Sequence, residues 1–158
     1  MTQDQIKRFK ELADKYTLTK DDFWKSPQGF VIISRRGIEK IQSKMNARVE
    51  YEVVESLSSP SESLYVIKAT GTVRMAPETY QRWSYNDSTN KMEERLGVMP
   101  RERIVETYGE SSPKNTRGGA QAYPVAMAEK RALSRCILKL SDFYQLEVFS
   151  EDEINEEK

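Results

Sequence analysis

The 158-residue chain has no histidine. That removes the commonest general base, the commonest metal ligand and every Ser-His or Cys-His arrangement. There is a single cysteine, Cys136, so no disulfide framework can form within the chain. It falls on the apolar stripe of a predicted helix and reads as a small buried hydrophobe in a reducing compartment. The seven glycines include no phosphate-binding loop, because Arg117-Gly-Gly119 is too short for one. No apolar run approaches membrane-spanning length, and the charged stretch Met1–Lys15 is unlike a signal peptide. No carboxylate pair stands out from the surface charge. The expectation is a cytoplasmic protein that is not an enzyme and uses no metal, no cofactor and no membrane.

What is present is charge, at 32% of residues against 37% hydrophobic, in a length suited to one domain. Basic and acidic residues balance at 25 each, yet they are segregated. Arg35 to Arg48 holds five basic residues and one acid, Pro124 to Leu140 four and one, and the last eight residues five acids and one lysine. A neutral molecule can still carry a basic surface when charge is divided in this way.

The strongest helix signal is Pro124–Leu140, with proline in the first turn and Val125, Ala128, Ala132, Cys136 and Leu140 on one stripe. Ala128 and Ala132 are small enough to let that helix lie close on its neighbour. Arg131, Arg135 and Lys139, four apart, line up beside the stripe with Lys130 next to them. Two earlier helices are expected. Residues 3–15 turn Ile6, Phe9, Leu12 and Ala13 to one side. Residues 35–46, N-capped by Ser34, place Ile38, Ile41 and Met45 inward and Arg36, Lys40 and Lys44 along a second ridge. Thr19 is read as the cap of a single turn over 20–25, and Phe30–Ile33 as a strand or extended core segment.

From Ala47 the period becomes two. Val49, Tyr51 and Val53 form one face of a strand; Tyr65, Ile67, Ala69, Val73 and Met75 form one face of the next. Lys68 and Arg74 lie on the outer face, and Gly71 is read as a bulge. Residues 76–100 allow two readings, a helix starting at Pro77–Trp83 or an extended hairpin. Arg82, Trp83, Tyr85, Lys91 and Arg95 there interleave aromatics with cations; they are a stacking surface for bases, or else Trp83 folds back on the domain. Residues 101–109 return as a third strand, 110–121 form a polar loop exposing Lys114 and Arg117, and 143–149 dock back. The expected architecture is α+β: an antiparallel meander of three or slightly more strands, packed by a preceding helix and a long C-terminal helix. One domain spans 1–150, with an N-terminal segment 1–33, a core 34–143 and an insertion 76–100. An acidic, disordered tail covers 151–158.

This order of elements, with Tyr108-Gly-Glu-Ser-Ser, a basic loop and a helix containing Ala-Glu-Lys-Arg-Ala-Leu, resembles the single-strand annealing proteins of the Rad-fifty-two type. Their phage relatives are the Erf, Sak and RecT/Redβ groups. The resemblance covers about residues 35–143. It implies binding of single-stranded DNA in a basic groove, as a ring or filament, and annealing of complementary strands without nucleotide hydrolysis. The family's arginine ahead of the meander falls on Arg36, with Arg35 one place off, and its loop cations match Lys114 and Arg117 in kind. Its late Lys-Arg pair falls on Lys130-Arg131 by the motif, or near Leu138-Lys139 if the helix ends are aligned. The chain departs from the family in its longer insertion and in lacking a long C-terminal partner-binding domain.

The expected DNA-binding set is Arg35, Arg36, Lys40, Lys44, Lys68, Arg74, Lys114, Arg117, Lys130, Arg131, Arg135 and Lys139. Expected partners are single-stranded DNA, further copies of the chain, and a replication or recombination protein recruited by the acidic tail. The setting would be a bacterial host's cytoplasm if the chain is phage-encoded. Two alternatives stand beside annealing: a single-strand binder that only coats DNA, and an interaction or regulatory domain whose basic ridges have no nucleic-acid role.

Overall fold

The computed structural model describes residues 1–59 and 62–154. Thr2 opens the first helix with a reciprocal cap: its hydroxyl accepts from Gln5 N at 3.3 Å, and its N–H donates to Gln5 Oε1 at 2.7 Å. Helix α1 (Gln3–Lys15) buries Phe9, Leu12 and Ala13, while Ile6 stays partly exposed. Phe9 meets Phe23 and Phe143 edge-on, at 5.1 and 5.5 Å between ring centroids. Lys20–Asp22 is a short 3-10 turn, and the chain then extends into β1 (Phe23–Lys25) instead of remaining helical to residue 25. Strand β2 (Val31–Ile33) pairs antiparallel with β1 and parallel with β6 (Val148–Ser150). This small second sheet lies outside the expected meander. Its strands are three residues long, too short to show a period.

Helix α2 (Arg35–Met45) starts where Ser34 Oγ accepts from Gly37 N at 3.1 Å, and it ends at Asn46 in the left-handed region, φ 52°. Strands β3 (Arg48–Ser58), β4 (Ser63–Asn86) and β5 (Lys91–Ser111) form an antiparallel sheet in that order. The bulge lies in β3 between Val53 and Glu55, not at Gly71. Gly71 serves packing instead. A side chain there would collide with Cys136 Sγ and Leu140 on helix α3 (Pro124–Leu140). Gly109 on β5 has the same role, since a Cβ on it would meet the backbone of Ala128 and Ala132. Both alanines are fully buried, as their size predicts. Thr107 Oγ1 donates to Ala132 O at 2.8 Å, tying helix to sheet inside the core.

The molecule is thus α+β, with the long third helix on an antiparallel three-stranded sheet. It divides into two compact units: residues up to Val73 together with those from Ile104 onward, and residues Arg74–Arg103. The second unit is a hairpin, so the helix reading of 77–83 gives way to the extended one. The β3–β4 ladder ends at Arg48↔Thr72, leaving this part of β4 paired only with β5. Tyr80 lies over Gly97, where a Cβ would come within 2.5 Å of the ring. After α3, a 3-10 turn at Phe143–Leu146 leads into β6, and a second follows at Glu151–Glu153. Of the expected tail, Glu151–Glu153 form this turn, and residues 155–158 lie outside the described part.

Candidate nucleic-acid interface

Helical spacing sets Arg36, Lys40 and Lys44 along one edge of α2, and the three line an open hollow of about 540 Å3 with Thr17, Glu39 and Ser43. Behind it sits Asp22, fully buried, which sequence patterning did not single out. Its Oδ2 accepts from Lys40 Nζ at 2.6 Å, from Thr19 N at 2.7 Å and from Thr19 Oγ1 at 2.9 Å. Burial alone would push this carboxyl's pKa up. The Lys40 and Thr19 hydrogen bonds outweigh it and hold the pKa below the ordinary value. The other oxygen, Oδ1, has no hydrogen bond and lies 3.8 Å from Arg36 Nε. The Arg36 side chain is 71% exposed. Glu39 is taken up by Arg35 at 3.1 Å, so both carboxylates nearest the hollow are already paired. Arg36 and Lys44 supply its outward charge.

The late helix is arranged differently from an open cationic edge. Arg131 is only 5% exposed. It donates to Asp152 O at 2.8 Å, Glu110 O at 2.8 Å, Asn115 Oδ1 at 3.0 Å and Asn115 O at 2.6 Å. Burial and the neighbouring Arg135 draw its pKa below the usual arginine value. Arg135 donates to Glu153 Oε1 at 2.5 Å and to Tyr108 O at 2.7 Å. The turn at 151–153 also reaches α2: Glu151 Oε1 accepts from Arg35 N at 2.7 Å, and Asp152 lies 3.8 Å from the Arg35 guanidinium. Carboxylates expected in a free tail thus hold Arg35 and Arg135, while Arg131 clamps the loop after β5. The acidity of 151–153 was legible in the sequence; its docking, a contact of long sequence separation, was not.

The remaining expected residues are dispersed. Lys130 is exposed on α3, and Lys139 is half-buried, its ammonium 5.2 Å from the Tyr144 ring centroid. Lys68 lies on the outer sheet face between Glu52 at 2.8 Å and Glu106 at 3.6 Å. The Glu52 hydrogen bond raises the lysine's pKa and lowers the glutamate's. Arg74 is 92% exposed, with Glu102 at 4.0 Å. Lys114 and Arg117 are exposed in the loop after β5, which is fixed by a buried Ser111–Thr116 hydroxyl pair at 2.9 Å. Arg36, Lys40 and Lys44 thus share one hollow, while Arg117 and Arg131 line a smaller one, of about 210 Å3, together with Glu151 and Asp152.

Among the described residues no group of three acidic or thiol side chains gathers as a metal site requires. No described helix is long and apolar enough to cross a membrane. Compared with protein-family models, with curated proteins and with solved structures, the chain finds no match in any of the three.

Proposed function

We propose that the protein binds single-stranded DNA through its phosphates and promotes annealing of complementary strands without nucleotide hydrolysis, as an oligomer in the cytoplasm. The observation that carries this reading is the α2 edge. Three cations spaced four apart line one open hollow, beside the hydroxyls of Thr17 and Ser43, and its nearest carboxylates are already paired. Such a surface can take successive phosphates and leave base edges free, which annealing requires. Lys130 and the loop cations Lys114 and Arg117 are further candidates for the same strand. Because few nucleotides fit one copy, useful affinity calls for several copies in a row.

A second reading, an interaction domain without a nucleic-acid role, is favoured by the internal pairing of Arg35, Lys40, Lys68, Arg131 and Arg135. Gel-shift binding and oligonucleotide annealing, scored side by side at low salt, separate the readings. Binding with annealing supports the proposal; binding alone marks a coating protein. Failure of both leaves the interaction domain.

A further inference from the structure

The turn Glu151–Glu153 sets three successive carboxylates against donors of both helices. Glu151 Oε1 accepts from Arg35 N, the first N–H of α2, at 2.7 Å. Asp152 Oδ2 accepts from Ser134 Oγ at 2.9 Å and lies 3.8 Å from the Arg35 guanidinium. Glu153 Oε1 accepts from Arg135 Nε at 2.5 Å. A helix N-terminus, a hydroxyl and two guanidiniums are the donors that phosphate oxygens take. This row begins at Arg35, next in sequence to Arg36 of the α2 hollow.

The turn occupies the row without using all of it. Arg35 Nη1 is buried and has no hydrogen bond. A hollow of about 210 Å3 remains beside the turn, with Arg117 and Arg131 in its wall. The turn is also held in a way that permits release. Its anchor in the core is β6, where Val148 and Ser150 are fully buried. Beyond Ser150 the charge pairs above and one bond from Arg131 Nε to Asp152 O do the holding. The side chains of Arg35 and Arg135 keep 29 and 35% exposure, and pairs this exposed contribute little each and weaken with salt. With the turn displaced, Arg131 would keep its bonds to Glu110 and Asn115.

We propose that the turn Glu151–Glu153 is a built-in competitor of single-stranded DNA: it covers Arg35, Ser134 and Arg135 in the free protein, and a bound strand displaces it, putting phosphates in place of the three carboxylates. This regulation rests on the DNA-binding reading above. A strand already held on the α2 edge offers its next phosphates to Arg35 at high effective concentration. A free phosphate ion has no such advantage over carboxylates tethered to the chain.

The test is affinity for a labelled oligothymidylate as a function of salt, for wild type, for Glu151→Gln/Glu153→Gln, and for Glu50→Gln/Glu55→Gln, which carries the same charge change on exposed positions of β3. The turn variant is expected to bind about tenfold tighter than wild type at low salt. Its plot of log K against log salt should steepen by about 1.4, from two arginines newly free to meet phosphates. The β3 variant should keep the wild-type slope. A turn variant that binds no tighter than wild type, or that only matches the β3 variant, would overturn the proposal while leaving DNA binding in place. No binding by any of the three would overturn both. If the turn variant fails to fold, hydrogen exchange of the wild type decides: residues 151–154 should lose protection when the oligonucleotide saturates the protein, and unchanged protection there would refute displacement.

Discussion

Gly109 of β5 and Ala128 of α3 touch backbone to backbone: any Cβ at 109 would run into the Ala128 carbonyl oxygen. The long helix lies this close because both surfaces are bare, glycine on the strand and alanine on the helix. Gly109→Ala is expected to cost at least about 2–3 kcal/mol in urea unfolding, because backbone cannot yield as a side-chain tip can. The same change at the open Gly119, which meets nothing within 4 Å, should be close to neutral.

Arg131 is a structural clamp, and its substitution should read as a folding defect. Arg131→Met strands the carbonyls of Glu110, Asn115 and Asp152 and should cost about 3 kcal/mol. Lys130→Gln, one residue away and exposed, should leave stability within about 0.5 kcal/mol. Thermal melts of the two variants check the contrast.

Asp22 makes stability depend on pH in the acid range. Its pKa is lowered in the folded state, so its contribution is complete above the unfolded value of about 3.9 and fades as pH falls through the folded value. Asp22→Asn should therefore lose about 2 kcal/mol at neutral pH, from the charge-assisted bonds to Lys40 and Thr19. The difference from wild type should shrink below about pH 4. A gap that stays constant with pH would contradict this account of Asp22.

Cys136 should not react with thiol reagents in the native protein. It is fully buried against Gly71, and burial raises its pKa to about 11, leaving almost no thiolate at neutral pH. A maleimide assay with and without urea should show labelling only on unfolding.

Where hydrophobic period ran long, the sequence was legible. The first and third helices have the expected bounds and the second differs by one residue, because stripes of eleven residues or more and caps such as Ser34 encode them locally. Of the β1–β2–β6 sheet only β2 was legible, as the apolar run Phe30–Ile33; its pairing was not, because the strands are three residues long and β2 meets β6 across more than a hundred residues. The candidate interface was half legible. Spacing put Arg36, Lys40 and Lys44 on one edge, but nothing in it showed that Asp22 lies behind Lys40. Nor could charge counting show that Glu153 meets Arg135, since spacing finds aligned cations and is blind to the carboxylates that fold onto them.

Affinity for a fluorescent single-stranded oligonucleotide as a function of salt, compared between wild type and the Arg36→Gln/Lys44→Gln double variant, tests the central claim most directly. Removing one cation from one phosphate should flatten the plot of log K against log salt by about 0.7, so the double variant's slope should fall by about 1.4. It should also bind more weakly at every salt concentration, with its fold intact. An unchanged slope and affinity in a folded double variant would show that the α2 edge does not hold the strand.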